Sequence, residues 1–439
     1  MSTLTTHQQK VFDNIISSVE YALEGLLKSD NPAYYMLSLS GAAGTGKTYL
    51  SAKLAHYFNR KNYDLTLTSP THKATSVSAE FLLTHNIKAT CKTIHSFLAI
   101  KPKLDYDSGV EHFVVDKGAK KDSTKILFVD ESSMIGEELF GYIVEAIRDE
   151  RVGFVVFIGD SFQLPPVSAA ASGVFGLQNS FTLDEVVRQA RDSYILRAAT
   201  TLRVMIEKDE FVPLKKVFES FDGVEIFNSL ELFVEDFCKG EKWYEDDKIL
   251  TTYTNKSVNA LNKSIRDRFW QTQGVSEPEF IRVGDNLRFD DAYSINDMQI
   301  YHNGEIVKVK NSELCKDNRL GIEYFKCEIE GSKFAIKVVD INSQERYKNE
   351  LQAIADEANK AKYPKKSQLW DTYYSIKNSY ANVSYTFAST IHKLQGSTYD
   401  SVYVDIGSLA KMWGLDEQMK YRLAYVAITR ARKDVKVLL

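Results

Sequence analysis

Paired-cysteine motifs are missing from this sequence. Cys91, Cys238, Cys315 and Cys327 form no CxxC pair and no His/Cys cluster at metal-ligand spacing, so neither a cysteine metal site nor a disulfide framework is expected. They read as reduced thiols of a cytoplasmic protein, a compartment in which Cys315 and Cys327 would stay unbridged. Also absent is any apolar run long enough to span a bilayer, which leaves no membrane partner. Met1-Ser2-Thr3-Leu4 lacks a basic region followed by an apolar one, so no secretion signal is expected. Nor is there an excess of positive charge. The 55 Lys and Arg stand against 59 Asp and Glu, a net charge of −4, whereas a sequence-independent nucleic-acid binder usually carries a basic face. Basic stretches at 117–125, 360–366 and 430–436 read, each alone, as solvated surface. No internal repeat or low-complexity tract is visible.

What is present is a chain of 439 residues, too long for one ordinary core, so two or more domains are expected. Apolar residues recur at helical spacing over 5–27 (Val11, Ile15, Ile16, Val19, Leu23, Leu26) and predict an amphipathic helix. A short apolar run at 35–39 ends in Gly41, as a strand feeding a loop would, and 48–58 reads as a helix. The β-rich runs 65–68, 126–129 and 154–158 are of the buried parallel kind. This alternation predicts a doubly wound parallel sheet. Between Phe97 and Val115 the rhythm breaks around Asp107-Ser108-Gly109, a turn signal for an inserted β-hairpin. A second α/β domain is expected after Arg188, with strands at 248–252, 384–388 and 401–405. Residues 281–381 fit neither rhythm. Strand-like runs at 305–309, 324–329 and 333–338 precede a polar, aromatic, helical stretch at 344–380, which predicts a small β-barrel with a helical appendage.

Gly41-Ala42-Ala43-Gly44-Thr45-Gly46-Lys47-Thr48 matches G-x-x-x-x-G-K-[ST] between a predicted strand and a predicted helix, the context that gives the motif its meaning. The glycines let backbone N–H groups wrap phosphate oxygens, and the helix N-terminus adds a favourable dipole. Lys47 is expected to neutralise the β/γ-phosphates and the Thr48 hydroxyl to ligate Mg²⁺; Tyr49, the next residue, is counted with the nucleotide-binding set. The strand 126–129 then carries Asp130, which can hold Mg²⁺, and Glu131, placed to act as base toward the attacking water. ATP and Mg²⁺ are therefore the expected cofactors. After a further apolar strand, Gly159-Asp160-Ser161-Phe162-Gln163 offers Gln163 as a sensor of the γ-phosphate. Arg188 and Arg430 are candidate arginine fingers, which stabilise the transition state from another domain and tie hydrolysis to domain closure.

In order, the chain carries Leu4-Thr5-x-x-Gln8, the loop 41–48, Ser69-Pro70-Thr71-His72-Lys73-Ala74, Thr93-Ile94-His95-Ser96, Asp130-Glu131 and Gly159-Asp160-x-x-Gln163. It continues with Arg188, Tyr253-Thr254-Asn255-Lys256, Thr390-Ile391-His392-Lys393-x-Gln395-Gly396, and Tyr425 to Arg430. This set resembles superfamily 1 DNA helicases of the RecD-like branch over nearly the whole chain, least so between 311 and 380. The resemblance implies an α/β fold of two RecA-like P-loop domains. The first would comprise 1–98 and 116–187, with an inserted hairpin pin at 99–115. The second would comprise 188–280 and 382–439, with an SH3-like barrel and helical arm inserted at 281–381. It further implies that Gln8 recognises adenine and that Gln395 and Gly396 face the nucleotide. Pro70, Thr71, His72, Lys73, Thr93 and His95 would contact DNA from the first domain, and Thr254, Asn255, Thr390, His392 and Lys393 from the second. Thr, Asn and His side chains grip phosphates by neutral hydrogen bonds, which suits a chain without positive excess.

The function so implied is an ATP-dependent DNA helicase that moves on single-stranded DNA and opens duplex in replication or recombination. Its 5′-to-3′ direction rests on the resemblance alone. The expected partners are single strands and single-strand/duplex junctions, with single-strand-binding or recombination proteins as further candidates. A monomer in the cytoplasm (the host's, for a bacteriophage protein) is expected. A translocase with little unwinding and an ATP-switched DNA-binding scaffold remain as alternatives. Trp370, Tyr373 and Tyr374 are open between a base-stacking platform and an apolar seam docking the arm.

Overall fold

The computed structural model of the protein describes residues 4–27, 29–116, 118–166, 172–185, 193–295 and 298–439. The first half contributes strands β1 (Met36–Gly41), β2 (Leu65–Ser69), β3 (Thr90–Thr93), β4 (Ile100–Asp105), β5 (Val110–Val115), β6 (Thr124–Val129), β7 (Val152–Gly159) and β8 (Ser180–Leu183). Six of them form one parallel sheet in the order β3-β2-β6-β7-β1-β8. Successive strand residues point to opposite faces, and here both faces are apolar. Leu37, Leu39, Phe154 and Val156 pack against Val11, Ile15, Leu50 and Phe58. Met36, Leu127, Val155 and Phe157 pack against Ile94, Phe97, Ile143 and Ala146. A sheet covered by helices on both faces is the reason these runs read as continuously hydrophobic.

The first helix, Thr6–Leu23, opens with a capping box between Thr5 and Gln8. It stops four residues short of the predicted 27, because Gly25 follows the Glu24 cap in the left-handed region (φ 73°) and ends the helix. The strands β4 and β5 pair only with each other, as the predicted hairpin, in register from Ile100↔Val115 to Asp105↔Val110.

The second half adds β9 (Glu225–Phe227) and β10 (Lys248–Thr252). It then enters an antiparallel region of β11 (Asn286–Phe289), β12 (Tyr293–Ile295), β13 (Met298–Tyr301), β14 (Ile306–Asp317), β15 (Ile322–Ile329), β16 (Ala335–Val339) and β17 (Val383–Tyr385). Five of these form a sheet ordered β16-β15-β14-β11-β17, around a core of Leu287, Phe289, Val309 and Phe325. The chain returns through β18 (Ala388–Thr390), β19 (Tyr399–Asp405) and β20 (Ala431–Leu438), giving a second parallel sheet ordered β18-β10-β19-β20-β9.

One local expectation needs correction. The run 384–388 is not one strand: β17 pairs antiparallel with β11, while β18 pairs parallel with β10. The chain changes sheets at Thr386 and Phe387, a step that periodicity cannot reveal. The helical stretch 344–380 is two helices, Gln344–Lys360 and Lys365–Ser379. Pro364 disfavours the α conformation of the residue before it and breaks the run. All four cysteines are free, and no described helix is long and apolar enough to cross a membrane.

The edge strand β18 depends on one side chain. Buried Asn262 accepts the Ala388 N–H at 2.7 Å and donates to the Ala388 carbonyl at 3.0 Å, completing the ladder as a further strand would. Asn262→Ala leaves the Ala388 N–H unpaired in the interior and its carbonyl with the 3.5 Å contact from Arg288, so a loss of about 2 kcal/mol is expected, read as a lower urea midpoint. An unchanged midpoint would show that β18 does not need this amide.

Candidate active site

The strand β1 delivers Gly41 to the carboxyl edge of the first sheet, and the loop that follows winds into the helix Lys47–Arg60. A Cβ on Gly41 would lie 2.6 Å from Thr45 Oγ1 and 3.1 Å from Leu183 Cβ, so only glycine fits. Gly44 and Gly46 adopt φ of 79° and 85°, which glycine accepts without strain. No side chain caps the N-terminus of this helix, whose N–H groups are therefore available to an anion. The Lys47 ammonium lies over the loop, donating to the Gly41 carbonyl and, at 3.0 Å, to that of Ala42. Gln8 reaches the same loop: its Nε2 donates to the Thr45 carbonyl at 3.0 Å while its Oε1 accepts Thr5 N–H. Thr48 is exposed at the loop's mouth, and Tyr49 beside it lies under Lys53 at 5.5 Å.

The strand β6 brings Asp130 and Glu131 to the same edge. Asp130 Oδ1 accepts the Glu131 N–H at 2.8 Å, and Glu131 takes a left-handed backbone (φ 50°, ψ 40°) rare outside glycine and Asn/Asp. Burial pushes both carboxyls upward. Glu131 is raised further by Asp130 and drawn back by Arg430 and Lys47, and Asp130 is drawn back by the Glu131 N–H and Lys47. Residues from both sheets thus act on one pair of carboxylates. From β7, buried Asp160 caps the following turn at Phe162 N–H (3.0 Å) and accepts the Tyr425 hydroxyl at 2.6 Å. Gln163 Oε1 and Gln395 Nε2 are both buried, with no hydrogen-bond partner among the described residues. Buried polar atoms are usually paired, and these two, among several such atoms in the described residues, are open to a ligand atom.

Arg430, also buried, is held by the Val426 carbonyl (3.1 Å), Thr429 Oγ1 (3.2 Å) and the Ser397 carbonyl (3.5 Å). The other candidate finger, Arg188, lies outside the described residues. Two cleft residues were not singled out from sequence. Arg422 and Tyr425, on the helix Glu417–Ile428, both reach the first domain. Their three-residue spacing puts them on one helix face, the one signal that could have found them.

The residues assigned to nucleic acid sit at the carboxyl ends of strands and in the first turns of the helices that follow them. Thr71, Thr93 and Thr254 each N-cap a helix, accepting from Ala74, Ser96 and Ser257 N–H at 3.3, 3.2 and 3.1 Å. Pro70 precedes the first of these caps, partly exposed, and Asn255 follows the third, exposed. His72 stacks on His302 of the antiparallel region, ring centroids 3.7 Å apart. Burial, then His302, lowers its pKa. His95 lies 5.6 Å from Phe113 and His392 lies 5.9 Å from Tyr253, each lowered by burial. Thr390 Oγ1 accepts Lys393 N–H at 3.4 Å. The two lysines are engaged already: Lys73 donates to Tyr399 Oη at 3.2 Å, and Lys393 pairs with Asp290 at 2.7 Å. Gly396 faces the first domain, where a Cβ would lie 3.3 Å from that of Ala74. The basic stretch near the C-terminus is largely neutralised, Arg432 and Lys433 by Asp400 and Lys436 by Asp236 and Glu225. No group of three His, Cys, Asp or Glu among the described residues could hold a metal ion.

Two parallel sheets, joined at a phosphate-binding loop with an acidic pair and residues from both halves, define a two-domain P-loop nucleotide-binding protein. Residues 22–210 match the family model of an AAA domain, and 385–438 that of a UvrD-like helicase C-terminal domain. The chain is 24% identical over 458 residues to the ATP-dependent DNA helicase dda of Enterobacteria phage T4, covering 97% of this chain and 99% of that protein. An uncharacterized mimivirus protein, R530 of Acanthamoeba polyphaga mimivirus, is 23% identical over 91% of this chain and 94% of its own length. The crystal structure of Bacteroides Pif1 bound to ssDNA aligns with 100% of this chain and 92% of that one, at a TM-score of 0.52 and 15% identity. That likeness concerns the fold. The chain is homologous to the dda helicase over almost its full length, in line with the family resemblance its motifs carry.

Proposed function

We propose that this chain is an ATP-dependent DNA helicase that moves 5′-to-3′ on single-stranded DNA and opens duplex ahead of it. The observation that carries the reading is the 41–48 loop beside Asp130 and Glu131, reached from the second sheet's side by Tyr425 and Arg422 and by the charge of Arg430. Gln395 Nε2, a donor, suits a phosphate oxygen, and Gln163 Oε1, an acceptor, suits the attacking water. Thr48 and Asp130 would hold Mg²⁺, and Gln8 would lie beside adenine. Hydrolysis of the bound triphosphate supplies the free energy. Lys47 and Arg430 place positive charge from opposite domains, so turnover requires the domains to close. Burial and Asp130 raise the Glu131 pKa while Arg430 and Lys47 oppose the rise; in its carboxylate form Glu131 accepts a proton from the attacking water. With Thr71, His72 and Thr93 on one domain and Thr254, Asn255 and Thr390 on the other, alternating grip moves the protein along a strand. The related dda protein is named a DNA helicase, which favours this over a static scaffold.

In this reading the hairpin β4–β5 is the strand-separating pin and the antiparallel region an SH3-like barrel with its helical arm. The pin's tip is docked on that arm. Tyr106 Oη donates to Asp371 at 2.8 Å and Tyr374 Oη to the Gly109 carbonyl at 3.1 Å, while the buried Trp370 ring lies against Gly109. A rigidly held wedge can transmit translocation to the duplex, which favours unwinding over bare translocation. A Cβ at Gly109 would lie 2.0 Å from Trp370, at a backbone of φ 70°. Left-handed strain and the displaced ring together cost roughly 2 kcal/mol, so Gly109→Ala should slow unwinding about tenfold or more. Its single-strand-stimulated ATPase should stay within about twofold. Equal losses in both would remove the wedge role.

The function is tested by ATPase rates with and without single-stranded DNA, then by unwinding of duplexes bearing a 5′ or a 3′ overhang. Slow turnover indifferent to DNA would overturn the motor reading. Unwinding only from a 3′ overhang would reverse the direction. A monomer acting in replication or recombination, with single-strand-binding proteins as partners in the cytoplasm, completes the proposal.

A further inference from the structure

One hydrogen bond crosses from the second domain into the phosphate-binding loop itself. The Ala43 N–H donates to Tyr425 Oη at 3.1 Å, and that hydroxyl donates in turn to Asp160 Oδ2 at 2.6 Å. Three residues earlier on the same helix, Arg422 Nη1 donates to the Ser161 carbonyl at 2.6 Å and to that of Gln163 at 2.9 Å. The helix of the second domain thus holds both the loop and the segment that carries Gln163. Five residues after Tyr425 comes Arg430, whose charge acts on Glu131.

The loop's N–H groups are the donors that phosphate oxygens use in such a turn. One N–H serves one strong acceptor at a time, and a phosphate oxygen is a stronger acceptor than a phenol. Tyr425 has a single O–H, committed to Asp160, and meets Ala43 only through a lone pair. We propose that Tyr425 is a positioning residue that couples nucleotide occupancy to the second domain. Its hydroxyl holds the Ala43 N–H until a phosphate oxygen takes that donor, and the release is passed through Asp160 to the 160–163 segment. The proposal rests on the nucleotide-driven motor reading above and adds to it the residue that reports when the cleft fills. Burial and the Asp160 carboxylate keep the Tyr425 proton in place, with its pKa raised well above the usual phenol range.

The test is Tyr425→Phe, which keeps the buried ring and removes only the oxygen. Affinities for ADP and for a non-hydrolysable ATP analogue with Mg²⁺ are measured by displacement of a fluorescent nucleotide. Single-strand affinity is measured by anisotropy with and without the analogue. Without the competing hydroxyl, nucleotide should bind about fivefold tighter, the size of one hydrogen bond. The difference in strand affinity between the two nucleotide states should shrink. Arg422→Gln, which touches no loop atom, should weaken that coupling without tightening nucleotide binding. Wild-type nucleotide affinity and coupling in Tyr425→Phe overturn the proposal and leave the motor reading standing. Equal tightening in Arg422→Gln also overturns it, since the cause would then be a loosened domain contact. A wild-type chain that binds no nucleotide overturns the motor reading, and this proposal with it.

Discussion

Lys47→Ala is expected to lower ATP turnover by roughly 10²–10³-fold, the usual cost of removing a charge aimed at the transition state, while single-strand affinity changes little. Two effects act together. The ammonium lies at the loop's mouth, on the carbonyls of Gly41 and Ala42, where it can neutralise phosphate oxygens. It is also one of the influences that hold the Asp130 and Glu131 carboxyls down against burial. With it gone, Glu131 keeps its proton to higher pH and is less often ionised to act as base, so the residual activity should need a more alkaline buffer. The groove residues are on other elements and should still bind DNA. Phosphate release and strand anisotropy measure the two quantities on one preparation. Retained turnover would refute the nucleotide assignment, and a parallel loss of strand binding would show that the loop and the groove are one site.

The parts of this molecule that were legible in sequence are those whose signal is local. A glycine pattern between an apolar strand and a helix specifies the loop 41–48, because backbone N–H groups and left-handed turns need those residues there. Runs such as 126–129 and 154–158 read as buried parallel strands because helices cover both faces of the sheet. Asp107-Ser108-Gly109 marked a turn by composition alone, and β4 and β5 flank it as expected. Contacts between distant elements were not legible. Trp370 and Tyr374 stood open between a platform and a seam, and only the fold brings them to Gly109. The motif ending in Arg430 drew attention to its charge, while the neutral Tyr425 that touches the loop carried no signal of its own. His302 lies in the stretch where motifs are sparse, so its stacking on His72 could not be read beforehand. Nor could sequence show that Lys73 and Lys393 are already engaged by Tyr399 and Asp290. Charge on a side chain says nothing of whether a neighbour has taken it up.

Arg430→Ala should reduce single-turnover hydrolysis by about 10³-fold or more, as for other arginines supplied across a domain boundary, with nucleotide affinity held within a few-fold. The guanidinium is not loose. Val426, Thr429 and Ser397 hold it from its own domain, so its position follows the helix Glu417–Ile428 and the turn after it. Such an arginine reaches the phosphates only when the second domain moves as a unit, which makes hydrolysis the consequence of closure. Removing it leaves the Ser397 carbonyl without this partner, while the Val426 carbonyl keeps the Thr429 hydroxyl, and a melting curve must accompany the kinetics. Arg430→Lys separates charge from shape, because it keeps a cation but cannot reproduce the planar fork. If shape matters, lysine restores little of the rate, even where it restores the fold. If charge alone matters, lysine should recover most of the loss, and Glu131 should respond to either cation alike. Turnover of Arg430→Ala within tenfold of wild type would remove the cross-domain role. Lys47 and Gln163, both on the first domain, would then have to stabilise the reaction without closure, and ATP could no longer be coupled to movement through this residue.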